Sequence, residues 1–72
     1  MITAKKAELQ SKMVRAGYTG KSLAKASGIT QGYMSFIMRG KRQILPPTAK
    51  KICDALECEF DDVFMEVIAD NE

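Results

Sequence analysis

Residues 19–39 read Thr-Gly-Lys-Ser-Leu-Ala-Lys-Ala-Ser-Gly-Ile-Thr-Gln-Gly-Tyr-Met-Ser-Phe-Ile-Met-Arg and decide the fold of this 72-residue chain. Thr19 and Thr30 each precede a helical pattern and suit the N-cap, where a side-chain oxygen accepts a hydrogen bond from a free backbone N–H. Gly28 and Gly40 suit the left-handed position that follows a helix. The apolar residues that can be buried together are Leu23, Ala24, Ile29, Met34 and Ile37. The stretch therefore predicts a helix-turn-helix.

The chain from residue 19 to residue 42 also resembles a known family. Its pattern, Thr-x-x-x-Leu-Ala-x-x-x-Gly-Ile-Thr-x-x-Tyr-x-Ser-x-Ile-x-x-Gly-Lys-Arg, is similar to that of the Cro-type phage repressor family of bacterial and phage transcriptional regulators. The resemblance extends from about Leu9 to Phe64 and implies an all-α fold of five helices. It supports a particular role less strongly, because function depends on the residues of a site.

The first helix is predicted from the spacing of its apolar residues. Leu9, Met13 and Ala16 follow the i, i+4, i+7 rhythm of one helical face. Thr3 is a candidate N-cap, and Gly17 suits the position just after the last turn. We therefore expect this helix to run from Thr3 to about Ala16.

The fourth helix is predicted to begin near Pro47, because a proline is tolerated in a first turn, and to end at about Leu56. Its inward residues would be Ala49, Ile52, Cys53 and Leu56. A short fifth helix is expected over about 59–64. The tail, residues 65–72, can extend this helix, add a strand to a dimer or fray. We expect a helical extension that frays after Ala69.

The composition argues against catalysis and metal binding. The chain has no histidine, and its two cysteines, Cys53 and Cys58, are too few for a zinc site. We expect both thiols to be small buried or half-buried side chains. No activated nucleophile or phosphate loop is visible, so no enzymatic activity and no cofactor are expected. Residues 1–72 are expected to form one domain with a small core.

The charge is divided along the sequence. Residues 1–53 contain eleven Lys and Arg against one acid, a net charge of +10, whereas residues 54–72 contain eight acids and no base, a net charge of −8. A basic surface attracts phosphate, and the acidic end can face a basic partner. The N-terminus lacks the apolar segment of a signal peptide, and no apolar run approaches the thickness of a bilayer. A cytoplasmic location in a bacterial host, with no membrane partner, is expected.

The second helix of the motif is the one that would enter a major groove. On its outward side Gln31 can pair with adenine, and Ser35 can form a hydrogen bond with a base. The resemblance implies that the basic residues after this helix contact the sugar-phosphate backbone. The predicted DNA contacts are Gln31, Ser35, Arg39, Lys41, Arg42 and, on the preceding helix, Lys21.

Several positions lack the long polar side chains that reading DNA requires. Gly20 stands where the family commonly has a glutamine that reaches a phosphate, and Ser22 replaces the Glu or Gln of a capping box. Phe36 and Met38 occupy places that usually hold polar or charged residues in similar repressors. Two interpretations are open. These two side chains fold onto the body or touch a thymine methyl, or together with Tyr33 they form an apolar patch for another protein.

We favour the second interpretation, in which the partner contacts are Gly32, Tyr33, Phe36 and Met38. The chain would then be a modulator, or antirepressor, of a phage lysis-lysogeny switch that binds the DNA-binding domain of a partner repressor. Its own DNA binding would be weak or would occur within the complex. The alternative is a Cro-like homodimer that represses by binding an operator. The resemblance implies that the region of the fifth helix would carry the homodimer contact, as it does in many members of the family.

Overall fold

In the part of the chain that the structure describes, five helices surround one core and two short strands pair with each other. The computed structural model describes residues 1–40 and 43–67. Its elements are β1 (Ile2–Ala4), α1 (Lys6–Ala16), α2 (Gly20–Ser27), α3 (Gln31–Met38), α4 (Pro46–Leu56), α5 (Phe60–Val63) and β2 (Phe64–Glu66). The prediction of a five-helix fold is confirmed, and the two strands are an addition to it.

Both threonine caps of the helix-turn-helix form as predicted. The side-chain oxygen of Thr19 accepts a hydrogen bond from the backbone N–H of Ser22 at 3.1 Å, and that of Thr30 accepts one from Tyr33 at 3.1 Å. The expected absence of a capping box at α2 is wrong, because the Ser22 hydroxyl oxygen accepts a hydrogen bond from the Thr19 N–H at 2.9 Å. A serine at this position is long enough to reach back, so α2 begins with both reciprocal bonds.

The start of α1 differs from the prediction. Thr3 is not an N-cap, because it lies in β1, which pairs antiparallel with β2 and places Thr3 opposite Met65. The helix begins at Lys6, and the N-cap residue is Lys5. The Lys5 backbone N–H donates to the Val63 carbonyl at 2.8 Å, which joins the first turn of α1 to the end of α5.

The predicted helical extension of α5 is wrong. The backbone becomes extended at Phe64, with φ −128° and ψ 160°, and the chain continues as β2. Pairing with β1 satisfies the backbone of this segment, and the Phe64 side chain is fully buried against the core. The strand pairs within the chain, with a further backbone hydrogen bond from Val67 N–H to Met1 oxygen at 2.7 Å. Ala69, where fraying was expected, lies outside the described residues.

The core lies where α1, α2, α3, α4 and the α5–β2 corner meet. Its largest fully buried side chains are Leu9, Leu23, Met34, Ile37, Ile44, Ile52, Val63 and Phe64. Cys53 is buried and Cys58 is half-buried, and both are free thiols, as predicted. Ala16 is exposed although its spacing predicted burial. Gly28 ends α2 with φ 72°, a left-handed conformation in which a glycine is unstrained and which turns the chain towards α3.

Candidate nucleic-acid and partner interface

The helix α3 divides into a buried face and a solvent face. Met34 and Ile37 have no exposed surface. Gln31 and Gly32, in the first turn, are exposed. Phe36 is one position before Ile37, about 100° around the helix, and 43% of its surface is exposed. This solvent face is where the sequence predicted both the DNA contacts and the partner contacts.

Phe36 lies on the surface, as the sequence predicted. The guanidinium carbon of Arg39 lies 5.8 Å from the centroid of the Phe36 ring, within the range of a cation–π contact. Tyr33 is half-buried and packs against the core, so only part of its ring belongs to the solvent face. The apolar surface of α3 is therefore centred on Phe36.

The placement of Met38 agrees with the first of the two interpretations, in which its side chain folds onto the body. This side chain is half-buried and packs against the core instead of pointing fully outward. A Cβ atom placed on Gly20 would lie 3.1 Å from the Met38 Sδ atom, closer than most Cβ contacts. The thioether therefore occupies the space beside Gly20 that a longer residue would need. Gly20 and Met38, two departures from the family pattern, are therefore neighbours in the structure.

A cleft, which we call the Gly20 cleft, lies beside this pair and has a volume of about 540 Å³. It is bounded by α1, α2 and α3 and is lined by Lys6, Gln10, Gly20, Lys21, Gln31, Met34, Ser35, Met38 and Arg39. The lining combines cations contributed by three segments, polar side chains from α3 and two methionine thioethers. Such a lining can hold an anionic group and an apolar group at once.

The structure brings four of the predicted DNA contacts to this one cleft, namely Lys21, Gln31, Ser35 and Arg39. Lys41 and Arg42, the two others, lie outside the described residues. Sequence reasoning did not assign Lys6 and Gln10 of α1 to the site. Their spacing of four residues placed them on one helical face and was the available signal, but it gave no indication that α1 approaches α3.

The cysteines lie away from the Gly20 cleft and are poor nucleophiles. Burial, followed by the proximity of the Cys58 sulfur, raises the pKa of Cys53 from its ordinary value of 9.0 to about 12. Burial likewise raises the pKa of Cys58. At neutral pH both groups are therefore thiols, the unreactive form.

The described residues also bear on metal binding and membrane insertion. Within residues 1–40 and 43–67, no three His, Cys, Asp or Glu side chains are grouped as metal ligands would be. The helices of these same ranges are too short and too polar for any of them to span a bilayer.

The geometry defines a class of protein. A tightly turned helix pair whose second helix presents a solvent face, flanked by cations, is the arrangement that DNA-binding helix-turn-helix modules use. The helix-turn-helix family model HTH_3 matches residues 9–63. The chain belongs to this family of Cro/C1-type helix-turn-helix regulators, and it has the fold of a DNA-binding transcriptional regulator.

Solved structures agree with this assignment. The chain is similar to the clp gene regulator ClgR from Corynebacterium glutamicum, with 32% identity and a TM-score of 0.71 over 78% of this chain and 60% of that chain. A second ClgR structure has the same identity, TM-score and coverage of this chain, and 72% of that chain is covered. The restriction-modification controller protein C.AhdI from Aeromonas hydrophila is 25% identical, with a TM-score of 0.71 over 76% of this chain and 83% of its own.

The chain thus spans less than two thirds of the first ClgR chain. A comparison with curated proteins gives no significant match. ClgR is a gene regulator, and C.AhdI is a controller protein of a restriction-modification system.

Proposed function

We propose that this regulator is a phage-type modulator, or antirepressor, which uses the solvent face of α3 to bind the DNA-binding domain of a partner repressor. In this proposal Phe36 is the central contact, and Gly32, Tyr33 and Met38 surround it. Its own binding to DNA is weak or occurs within the mixed complex. A bacterial cytoplasm as its location and one domain over residues 1–72 remain predictions from the sequence.

The exposure of Phe36 is the observation that supports this proposal most directly. A ring with 43% of its surface exposed, on the helix that relatives present to bases, is suited to a protein pocket, because buried aromatic anchors dominate protein interfaces. Gly32, one turn earlier, offers no side chain to a base, and a Cβ placed there would meet nothing within 4 Å. The centre of this face therefore has little capacity for hydrogen bonding to base edges.

A second function is supported by the other side of the same helix. Gln31 is exposed at the start of α3, and Ser35 lies beside it in the Gly20 cleft with Lys21 and Arg39. These groups can contact one or two bases and the adjoining phosphates. The alternative is therefore a Cro-like homodimer that recognises an operator directly.

Affinity capture from a bacterial host tests the proposal. The tagged protein should retain a second helix-turn-helix protein, identified by mass spectrometry, and the purified pair should form a complex in size-exclusion chromatography. Phe36→Ala should abolish the complex, because it removes the anchor while leaving the helix intact. Val14→Ala is the matched control, since Val14 is 77% exposed, belongs to α1 and does not line the Gly20 cleft.

Two results would count against the modulator. One is a Phe36→Ala variant that binds the captured repressor as tightly as the parent protein. The other is a Val14→Ala variant that loses the complex to the same extent as Phe36→Ala, because binding would then not be localised to α3. Retention of the complex by Val14→Ala and its loss in Phe36→Ala is the expected pattern.

A further inference from the structure

We propose that the Gly20 cleft is the anchor site for the acidic part of the partner, and that it takes an apolar side chain flanked by carboxylates. This inference rests on the proposed function and specifies the chemistry of the partner segment. The solvent-exposed Phe36 inserts into the partner, whereas the cleft receives a side chain from it. The two features lie on either side of Arg39, which lines the cleft and contacts the Phe36 ring.

Because Gly20 has no side chain, the Met38 thioether can lie beside it and form an apolar wall of the cleft. Met38 fills the space next to Gly20, with its Sδ atom 3.1 Å from the place of a Cβ there, and the fully buried Met34 supports it from behind. Thioether side chains are unbranched and polarisable, so they adapt to an apolar group of variable shape. A volume of about 540 Å³ is large enough to accept one aliphatic side chain together with its neighbours.

The charges around the cleft specify an anionic neighbour. Lys6, Lys21 and Arg39 come from α1, α2 and the end of α3, and none of the described residues that line the cleft with them is acidic. Within the part of the chain that the structure describes, none of these three cations has a carboxylate within 4.0 Å. Three cations that repel one another at a shared cleft are stabilised by an anionic partner.

The combination favours a peptide over a DNA phosphate as the occupant. DNA would satisfy the cations with its phosphates, whose oxygens require hydrogen-bond donors, but it offers Met38 at most a thymine methyl, a smaller apolar group than an aliphatic side chain. A segment in which acidic residues flank a leucine-like residue satisfies both. The acids would pair with Lys6, Lys21 or Arg39 while the apolar side chain contacts Met38.

A short peptide provides the direct test. Acetyl-Glu-Leu-Glu-amide is titrated into the purified full chain while the methionine methyl groups are followed by proton–carbon NMR. We expect a saturable shift of the Met38 methyl with a dissociation constant of about 1–10 mM, the range of small fragments. The Met13 methyl is the internal reference, because Met13 is buried on α1 and does not line the cleft.

Three further probes separate the contributions. Acetyl-Glu-Ala-Glu-amide should bind about tenfold more weakly, because it lacks the apolar side chain. Acetyl-Lys-Leu-Lys-amide should give no saturable shift, because its charges repel the rim. Inorganic phosphate should also leave the Met38 methyl unmoved. A shift with phosphate that equals the shift with Glu-Leu-Glu, or no saturable shift with Glu-Leu-Glu at all, would overturn the inference.

A charge reversal localises the binding. Lys21→Glu should weaken the Glu-Leu-Glu peptide about three- to tenfold, whereas Lys51→Glu, an equal change on the exposed side of α4, should leave it unchanged. Equal effects of the two variants would overturn the inference. Failure of this inference can be distinguished from failure of the proposed function. If the peptide does not bind but Phe36→Ala still loses the captured repressor, only the cleft assignment is wrong.

Discussion

The two faces of α3 differ in what they require of a side chain. Ile37 has no exposed surface, whereas Phe36, its neighbour in the sequence, is 43% exposed. Both are large and apolar, so hydropathy alone does not distinguish them. Position around the helix distinguishes the two residues, because one face packs on α2 and the core and the other meets solvent. Residues of similar hydropathy therefore stabilise the fold on one face and are left available for recognition on the other.

The largest expected effect is at the buried face. Ile37→Ala should lower the free energy of unfolding by about 2–5 kcal/mol, because it leaves a cavity in a small core. Phe36→Ala should lower it by less than about 1 kcal/mol, as expected for a largely solvent-facing site. Urea denaturation followed by circular dichroism measures both. A larger loss of stability in Phe36→Ala than in Ile37→Ala would invert the assignment of the two faces.

The boundary between the faces is tested by the Gly20 and Met38 pair. In Gly20→Ala the new Cβ would lie 3.1 Å from the Met38 Sδ atom, so Met38 must shift by a few tenths of an ångström and the gain that alanine normally brings to a helix should be reduced or reversed. In Met38→Ala that obstacle is gone, so the added Gly20→Ala change should be neutral or stabilising. The coupling free energy from the four proteins should be about 0.5–3 kcal/mol. Additive effects in denaturation experiments would show that the two residues are independent.

The smallest expected change concerns the buried face of α2. The Ser27 hydroxyl is buried, with 2% of the residue exposed, and finds no hydrogen-bond partner among the described residues. Ser27→Ala should therefore raise the free energy of unfolding by up to about 1 kcal/mol, because it removes a polar group that burial penalises. Ser22→Ala is the contrasting control. It removes a capping hydrogen bond and should lower stability by about 0.5–2 kcal/mol. A destabilising Ser27→Ala would mean that the hydroxyl has a partner in solution.

The parts of the fold that sequence could predict are those with local causes. Thr19, Thr30 and Gly28 act through hydrogen bonds and backbone angles within a few residues, and the structure places both threonine caps and the left-handed glycine where they were predicted. The pairing of β1 with β2 could not be predicted in this way, because Thr3 and Met65 are far apart in the sequence. A threonine before a helical pattern reads equally well as a cap and as a strand residue.

The candidate site shows the same limit. The exposure of Phe36 followed from helical periodicity once its buried neighbours were recognised. The contact between Gly20 and Met38 could not be predicted, because it joins two helices and depends on the angle at which they cross. Lys6 joins the site for a similar reason, through the approach of α1 to α3. The functional roles of these residues stay predictions.

A fluorescence-anisotropy titration is the most direct test of the modulator proposal. The purified protein alone is titrated against DNA duplexes selected from a random pool, and the titration is repeated over a series of salt concentrations. A modulator should bind DNA weakly and with little dependence on sequence, with dissociation constants of about 10⁻⁴–10⁻⁶ M at physiological salt, because its DNA binding comes from phosphate attraction alone. Sequence-specific binding at about 10⁻⁸ M or tighter, lost in Gln31→Ala and retained in Phe36→Ala, would contradict the account and establish the Cro-like repressor instead.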